Sequence, residues 1–242
     1  MIRRIFILLS IYFSTIASIM ASKKIMRLTR NEIARTATLI HNAFPLESPH
    51  SWARAVGLPK SNLEYWLRET YLAKPVEIED IGCYGITNKE ELAGVIINER
   101  FPVLKVDKEE EEETVDDPLL QYAYSSFDSL LDTGKDIVRT ELKNKNENQN
   151  CLVGYVAWIA TNENYRGQGI ADELIGIATS AMKDKGYKYS SAFCVSPTAT
   201  RAFKRHGYES LRDIKYSEFN VNGKKPFSIL PDYLSIMVKQ LS

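Results

Sequence analysis

The sequence is poor in cysteine and histidine and carries no excess of either charge. Its three cysteines, Cys83, Cys151 and Cys194, are too few and too scattered for a disulfide framework or a zinc site, so we expect buried free thiols and no metal. The 31 basic residues balance the 31 acidic ones. Because a surface that follows nucleic-acid phosphates usually has a basic excess, we expect no nucleic-acid partner. What remains is an ordinary globular composition, 44% hydrophobic and 26% charged.

The N-terminal residues 1–20 differ in composition from the rest of the chain. An arginine pair precedes an uncharged run over 5–20, which is followed by small residues and two lysines. The pattern fits a secretory signal peptide, a short membrane anchor, or sequence upstream of a true start at Met20. Under each interpretation the fold begins later, and we expect one domain over 23–242. The location is then cytoplasmic, or secretory or membrane-anchored if 1–20 is a working signal.

Hydrophobic periodicity predicts helices and strands in mixed order. Thr29 and Glu32 form a capping-box pattern before a helix that reaches Ala43. The segments "IEDIGCYGIT" and "ELAGVIINERF" are strand-like and flank a short turn, which predicts a hairpin. An insertion at about 101–150 contains an acidic run and a helical pattern, and then strands and helices alternate. This order predicts an α/β or α+β fold with a mixed sheet.

The stretch "NYRGQGIA" joins an apolar strand that ends near Thr161 to a helix that begins near Gly169. Glycine accepts positive φ and brings no side chain against a ligand, and the first amides of a helix attract anions. Arg166 adds a positive charge at the same place. The stretch is not G-x-G-x-x-G, because position 172 is Asp, and it lacks G-K-[ST]. It is therefore either a phosphate cradle or an ordinary tight turn.

The segment "YRGQGIADELI" resembles the acetyl-CoA motif of the GCN5-related N-acetyltransferases (GNAT), whose pattern is Arg/Gln-x-x-Gly-x-Gly/Ala. The match falls on Arg166 and Gly169. Downstream, "SPTATRAFKRHGYES" places Gly207 and Tyr208 where the family usually has Gly-Phe. The resemblance implies a central mixed, mostly antiparallel twisted sheet of about seven strands, with helices on both faces and a splay between the fourth and fifth strands.

The same resemblance implies acetyl-CoA as co-substrate. In the family the amides of the glycine turn bind the pyrophosphate, and the preceding strand pairs with the pantetheine arm. The residues assigned in this way to coenzyme A are Ile159, Ala160, Thr161, Arg166, Gly167, Gln168, Gly169, Ile170 and Ala171.

The catalytic residues are predicted through a narrower resemblance. The family often has a Tyr where this chain has Phe203, and this departure resembles the insect-type arylalkylamine (dopamine-like) N-acetyltransferases, as does the long insertion. Those enzymes use a Glu as base through ordered water, which corresponds here to Glu47 in "AFPLESPH". Ser196 is the second candidate, with its hydroxyl near the sulfur. The alternatives are a solvated carboxylate at Glu47 and a helix cap at Ser196.

Aromatic residues near the expected acceptor site suit an aryl amine but suit a core equally well. They are Phe44, Trp52, Tyr65 and Trp66, with Tyr122, Tyr124 and Phe127 in the insertion, and His50 lies close by in sequence.

The sequence as a whole predicts acetyl transfer to the primary amine of a small molecule, by direct attack in a ternary complex with a carboxylate base. The insertion favours a small amine because it would narrow the acceptor groove. One alternative is a peptide or protein lysine acetyltransferase, and another is a catalytically weak acyl-CoA-binding protein. The expected partners are the amine and coenzyme A, with a membrane only if 1–20 is a retained anchor.

Overall fold

The structure, a computed structural model, describes residues 23–45, 48, 51–59, 61–62, 68, 82–103, 117–145 and 151–241. Within these residues one sheet has seven strands in the order β1-β2-β3-β4-β5-β7-β6. The strands are β1 (Lys23–Arg27), β2 (Tyr84–Asn88), β3 (Glu91–Pro102), β4 (Leu152–Thr161), β5 (Tyr189–Cys194), β6 (Glu209–Lys215) and β7 (Tyr233–Gln240). Only β4 and β5 pair in parallel, and the other neighbours are antiparallel. The predicted mixed, mostly antiparallel sheet is confirmed.

Helices cover both faces of this sheet, as predicted. They are α1 (Ile33–Ala43), α2 (Trp52–Ala55), α3 (Pro118–Asn144), α4 (Ile170–Asp184) and α5 (Pro197–Arg205). The first three pack on one face around one hydrophobic core, and α4 and α5 pack on the other face around a second core. We call these faces the α1 face and the α4 face. Among the residues that the structure describes, no helix has both the length and the apolar character required to cross a bilayer.

The predicted capping box before α1 is wrong, although the helix itself ends at Ala43 as expected. Thr29 precedes a 3-10 turn, Arg30–Glu32, and its side chain makes no capping hydrogen bond. The amide of Glu32 instead donates to the carbonyl of Thr29 at 2.9 Å. Because the backbone already satisfies that amide, the hydroxyl has nothing to cap, and the Glu32 carboxylate pairs with Arg35.

The insertion contributes one helix of 27 residues, α3, to the described part of the chain. Asp117 begins it by accepting hydrogen bonds from the amides of Leu119 and Leu120, at 2.8 and 3.4 Å, with Pro118 in the first turn. Its buried residues follow helical spacing and face the sheet: Ala123, Ser126, Leu130, Gly134, Val138, Arg139 and Leu142. The acidic run before α3 lies outside the described residues.

The predicted hairpin and the predicted helix ends after β4 are confirmed. β2 and β3 are joined through Lys89 and Glu90, which both have positive φ, 48° and 73°. Gly186, with φ 81°, follows the end of α4, and Pro197 opens α5. These local signals therefore fix where the elements around the glycine turn begin and end.

Helix α4 packs on the sheet at unusually close range because β3 carries Gly94. A Cβ placed on Gly94 would meet the side chain of Ile170, the carbonyl oxygen of Ala160 at 3.1 Å and the side chain of Leu174 at 3.1 Å. Ile170 is the first residue of α4, so this contact fixes the start of the helix against the middle of the sheet.

We predict that Gly94→Ala destabilises the protein by about 1–3 kcal/mol, because the extra methyl overpacks this contact. Gly176→Ala is the control, since a Cβ there meets only His206 at an ordinary 3.7 Å and alanine favours the helix. Denaturant unfolding should show opposite signs for the two variants. Equal stability of Gly94→Ala and the wild type would contradict this account of α4 packing.

Candidate active site

Strands β4 and β5 run side by side and then part. They pair from Val153 with Tyr189 to Val156 with Ala192, and β4 then continues to Thr161 paired only with β3. A bulge in the β3–β4 register leaves Ala157 without an opposite residue at the point of parting. The predicted splay between the fourth and fifth strands is thus present in the ladder. The edge of β4 that faces the gap keeps backbone donors and acceptors that β5 does not use.

The glycine turn lies just beyond the open end of this gap. Gly167 and Gly169 both have φ of 75°, the left-handed region that favours glycine, and Gly169 caps α4. A Cβ on either residue would meet no protein atom within 4 Å, so the space over the turn is open. The first intrahelical bond here runs from the amide of Glu173 to the carbonyl of Gly169, and the preceding amides have no intrahelical acceptor. The turn therefore fits an anionic ligand such as a pyrophosphate.

Acidic side chains in the first turn of α4 are neutralised by basic partners. Arg205 donates two hydrogen bonds to Asp172, at 2.9 and 3.0 Å, and holds the pKa of that carboxyl below its ordinary value. Lys23 of β1 lies 3.9 Å from the Glu173 carboxylate and donates to the carbonyl of Gln168 at 3.3 Å. Because these carboxylates are paired, the helix dipole and the exposed Arg166 remain available to an anion.

A second set of contacts braces the loop between β4 and the turn. Glu91, the first residue of β3, accepts from the Asn162 amide group at 3.0 Å and from the Tyr165 hydroxyl at 2.7 Å. The hydrogen bond to Glu91 raises the pKa of Tyr165. The backbone amide of Asn162 also donates to the carbonyl of Ala93 at 2.9 Å. These contacts fasten the loop at Asn162–Tyr165 to β3 and so position the glycine turn that follows. No protein atom lies within 4 Å over Gly167 or Gly169.

On the α1 face, aromatic residues lie beside the gap. Trp158 follows the point where the strands part, and Phe44 packs edge-on against it with ring centroids 5.6 Å apart. Trp52 packs against Phe127 at 5.5 Å and donates to the Tyr216 hydroxyl at 3.0 Å. Phe44 with Trp158 therefore flanks the gap, whereas Trp52 and Phe127 belong to the core that holds α3 on the sheet.

The structure adds Glu99, a residue that the sequence analysis did not single out. Glu99 lies in β3 opposite Tyr155, on the same face as Ile97 and Phe101. Its Oε1 atom is buried and has no hydrogen-bond partner among the described residues. Desolvation raises the pKa of Glu99 to about 7, against the opposing charge of Lys135 on α3. The sequence does hold a signal for Glu99. Side chains alternate between the two faces of a strand, and Glu99 is a lone carboxylate on the face that carries Ile97 and Phe101.

Ser196 and the thiols take mainly structural positions. The Ser196 hydroxyl accepts a hydrogen bond from the amide of Ala199 at 3.3 Å and caps α5, which is one of the two roles that the sequence allows. Its other role, as a hydroxyl near the sulfur of the thioester, stays a prediction. Cys83 and Cys194 are buried thiols, as predicted, whereas the Cys151 thiol is only half-buried. Burial raises the pKa of Cys194, at the end of β5, to about 12. That thiol is therefore not a nucleophile at neutral pH.

Some candidates lie outside the described residues: Glu47, His50, Tyr65 and Trp66. Their predicted roles remain predictions. Phe44, just before that segment, contacts Trp158. Within the part of the chain that the structure describes, no group of three or more His, Cys, Asp or Glu side chains is arranged to hold a metal ion.

Comparison with known families and structures agrees with this geometry. Residues 139–208 match the model of the acetyltransferase (GNAT) family. The matched segment runs from the last turns of α3 through β4, the glycine turn, α4 and β5 to the end of α5. It contains every residue predicted to hold coenzyme A. The predicted resemblance to the GNAT superfamily is confirmed.

Solved structures share the fold at low sequence identity. A mosquito arylalkylamine N-acetyltransferase like 5b is 14% identical with a TM-score of 0.66, over 90% of this chain and 100% of its own. The polyamine N-acetyltransferase of Drosophila melanogaster is 15% identical with a TM-score of 0.62, over 89% and 97%. A Salmonella typhimurium protein solved with its cofactor acetyl-CoA is 12% identical with a TM-score of 0.50, over 91% and 95%.

These findings assign the chain a fold. It has the GNAT fold, arylalkylamine N-acetyltransferases are among its structural neighbours as predicted, and its match to the acetyltransferase (GNAT) family covers residues 139–208. The GNAT family uses acetyl-CoA.

We predict that Gly169→Ala raises the KM for acetyl-CoA by roughly tenfold or more, because the new Cβ projects over the open turn. Gly186→Ala is a matched control, since Gly186 has φ 81° and equally open surroundings but lies at the far end of α4. Both variants should lose about 1 kcal/mol of stability from the strained backbone. Steady-state kinetics in which both variants raise KM equally would contradict a cradle at Gly169.

A second prediction concerns stability and pH. Burial raises the pKa of Glu99 from 4.5 to about 7, so the folded state favours the protonated carboxyl. The resulting contribution to the free energy of unfolding is fully present below pH 4.5 and is lost as the pH rises through about 7. The ionised side chain then costs on the order of 3 kcal/mol. Glu99→Gln removes this cost, so its stability relative to wild type should increase from about pH 4 to about pH 8.

Denaturant unfolding at both pH values measures this difference. Glu209→Gln, at an exposed carboxylate on β6, should show no such trend. A pH-independent difference between Glu99→Gln and wild type would mean that Glu99 titrates normally.

Proposed function

We propose that this protein transfers the acetyl group of acetyl-CoA to the primary amine of a small molecule, with arylalkylamines as the preferred class. The observation that carries the proposal is the gap between β4 and β5, with an open glycine turn beyond its end and the Phe44–Trp158 aromatic pair beside it on the α1 face. We also propose a cytoplasmic location, since acetyl-CoA is abundant in the cytosol.

The α4 face would hold coenzyme A. The amides of Gly167–Ala171 and the guanidinium of Arg166 suit the pyrophosphate, which is anionic. The free edge of β4 at Ile159, Ala160 and Thr161 suits the amide groups of the pantetheine arm, because that arm can replace the missing strand partner. The thioester would then lie in the gap, where both faces of the sheet meet.

The α1 face would receive the amine. The pair formed by Phe44 and Trp158 offers an aromatic surface beside the gap, which favours an aryl group attached to the amine. The neighbouring aromatic cluster around Trp52 is internally packed, so we assign it to the core. The mosquito arylalkylamine N-acetyltransferase with the same fold supports this class of acceptor.

The chemistry that the chain must supply is positioning and proton removal. A primary amine is mostly ammonium at neutral pH, so a base has to take one proton before the nitrogen can attack the thioester carbon. A backbone amide on the free edge of β4 would hydrogen-bond the developing oxyanion. We propose direct attack in a ternary complex with a carboxylate as base, and Glu47 remains the residue that the sequence predicts for it.

We predict that wild-type protein releases thiol from acetyl-CoA fastest with phenethylamine and tryptamine. The expected kcat/KM for these amines exceeds that for agmatine and for a short lysine peptide by roughly tenfold, an advantage that the aromatic pair can supply.

A thiol-detection assay over this panel, with calorimetric titration of acetyl-CoA, tests the proposal. Preference for the lysine peptide would favour a peptide or protein acetyltransferase. Binding of acetyl-CoA without amine-dependent thiol release would favour an acyl-CoA-binding protein.

A further inference from the structure

Glu99 is a largely buried side chain with one carboxylate oxygen that no described residue hydrogen-bonds. Its Oε1 atom has no hydrogen bond within the described residues, although burying an acceptor without a partner is costly. It lies on the α1 face, where we place the amine, and not on the face that would hold coenzyme A. A residue that is expensive for folding and faces a proposed binding site is a candidate for binding or catalysis.

The register places Glu99 next to the closed end of the gap. Its cross-strand partner Tyr155 belongs to the last two residues of β4 that pair with β5. Tyr155 packs against Phe193 of β5 with ring centroids 4.7 Å apart. Since neighbouring strands lie about 4.8 Å apart, Glu99 is on the order of 10 Å from the point where β4 and β5 separate. The Tyr155 ring lies on this path, so an ammonium group entering from the α1 face would approach the carboxylate beside that ring.

We propose that Glu99 is the carboxylate that binds the ammonium group of the acceptor and takes its proton, an inference that rests on the proposed function. The proton moves from the ammonium nitrogen to a Glu99 oxygen, and the freed lone pair attacks the thioester carbon. The carbon–sulfur bond then breaks with its electron pair on sulfur, and the thiolate takes the second proton of the amine. Glu99 returns its proton to solvent.

The surroundings of Glu99 are suited to this role. Burial raises the pKa of its carboxyl to about 7, so near neutral pH it can both accept and release a proton. Lys135 of α3 is the cation that opposes this shift. Within the described residues, the titratable or charged groups on this face include Tyr155, whose pKa is raised by burial and by Glu99, and the buried His41 of α1. Tyr216, whose pKa burial also raises, and the thiols of Cys83 and Cys151 lie in or against the same core. Arg139 of α3 donates to Asp136 and to the Pro102 carbonyl.

The test is the pH dependence of kcat/KM for phenethylamine in wild type, Glu99→Gln and Glu47→Gln. Wild type should lose activity as the pH falls through about 7. Glu99→Gln should lose about 10²-fold or more in kcat/KM at about pH 8. Its pH profile should also lack the fall in activity below about pH 7, which we call the acidic limb. Its loss should be smaller with β,β-difluorophenethylamine, because the fluorines lower the pKa of the ammonium and less help from a base is required.

Lys135→Met gives a second measurement that does not alter the carboxylate. Removing the cation should raise the pKa of Glu99 further and move the acidic limb to higher pH. Glu209→Gln, at an exposed carboxylate, is the control and should leave the profile unchanged. If Glu99→Gln fails to fold, the shift in Lys135→Met decides the question.

The outcomes separate the two proposals. Wild type that binds no acetyl-CoA and acetylates no amine would overturn the proposed function. Active wild type with the same profile in Glu99→Gln, or an unmoved limb in Lys135→Met, would overturn the role of Glu99 alone. Loss of the limb in Glu47→Gln but not in Glu99→Gln would give the base to Glu47 instead.

Discussion

The structure depends on a ladder of hydrogen bonds that stops early. β4 and β5 share only four register pairs, and β4 then continues alone on that side. Leaving a strand edge unpaired in the middle of a sheet has a free-energy cost, which β4 offsets by pairing with β3 on both sides of the bulge at Ala157. We infer that this gap lets a ligand reach from one face of the sheet to the other.

The two faces of the sheet differ in packing and in side-chain chemistry beside this gap. On the α4 face, rigidity is achieved by close packing, since Gly94 brings the start of α4 against β3 and Glu91 ties down the loop before the turn. On the α1 face, the same strands carry aromatic rings and one carboxylate whose burial is unfavourable for folding. Stability is thus concentrated where an anion would be held, and the less favourable contacts lie where an amine would react.

Much of the fold could be predicted because its signals are local. The glycine turn, Gly186 after α4 and Pro197 in α5 are read from single residues whose backbone preferences are strong. The capping box predicted at Thr29 is wrong because the amide of Glu32 is already bonded within the 3-10 turn before α1. That turn depends on the direction from which the chain enters the helix. Strand alternation marks Glu99 as sharing a face with apolar residues, but its depth depends on the helices that cover that face, which the strand sequence does not show. The sequence could not decide between a helix cap and a catalytic hydroxyl at Ser196, because a serine just before a helix suits both roles.

We infer that the parted edge of β4 and the glycine turn together bind coenzyme A. Amide hydrogen exchange with and without CoA measures this, because the ligand would occupy the backbone groups themselves. Addition of CoA should slow exchange over 157–161 and 167–171, with little change in β6 and β7. Unchanged exchange in both segments, in folded protein at saturating CoA, would contradict it.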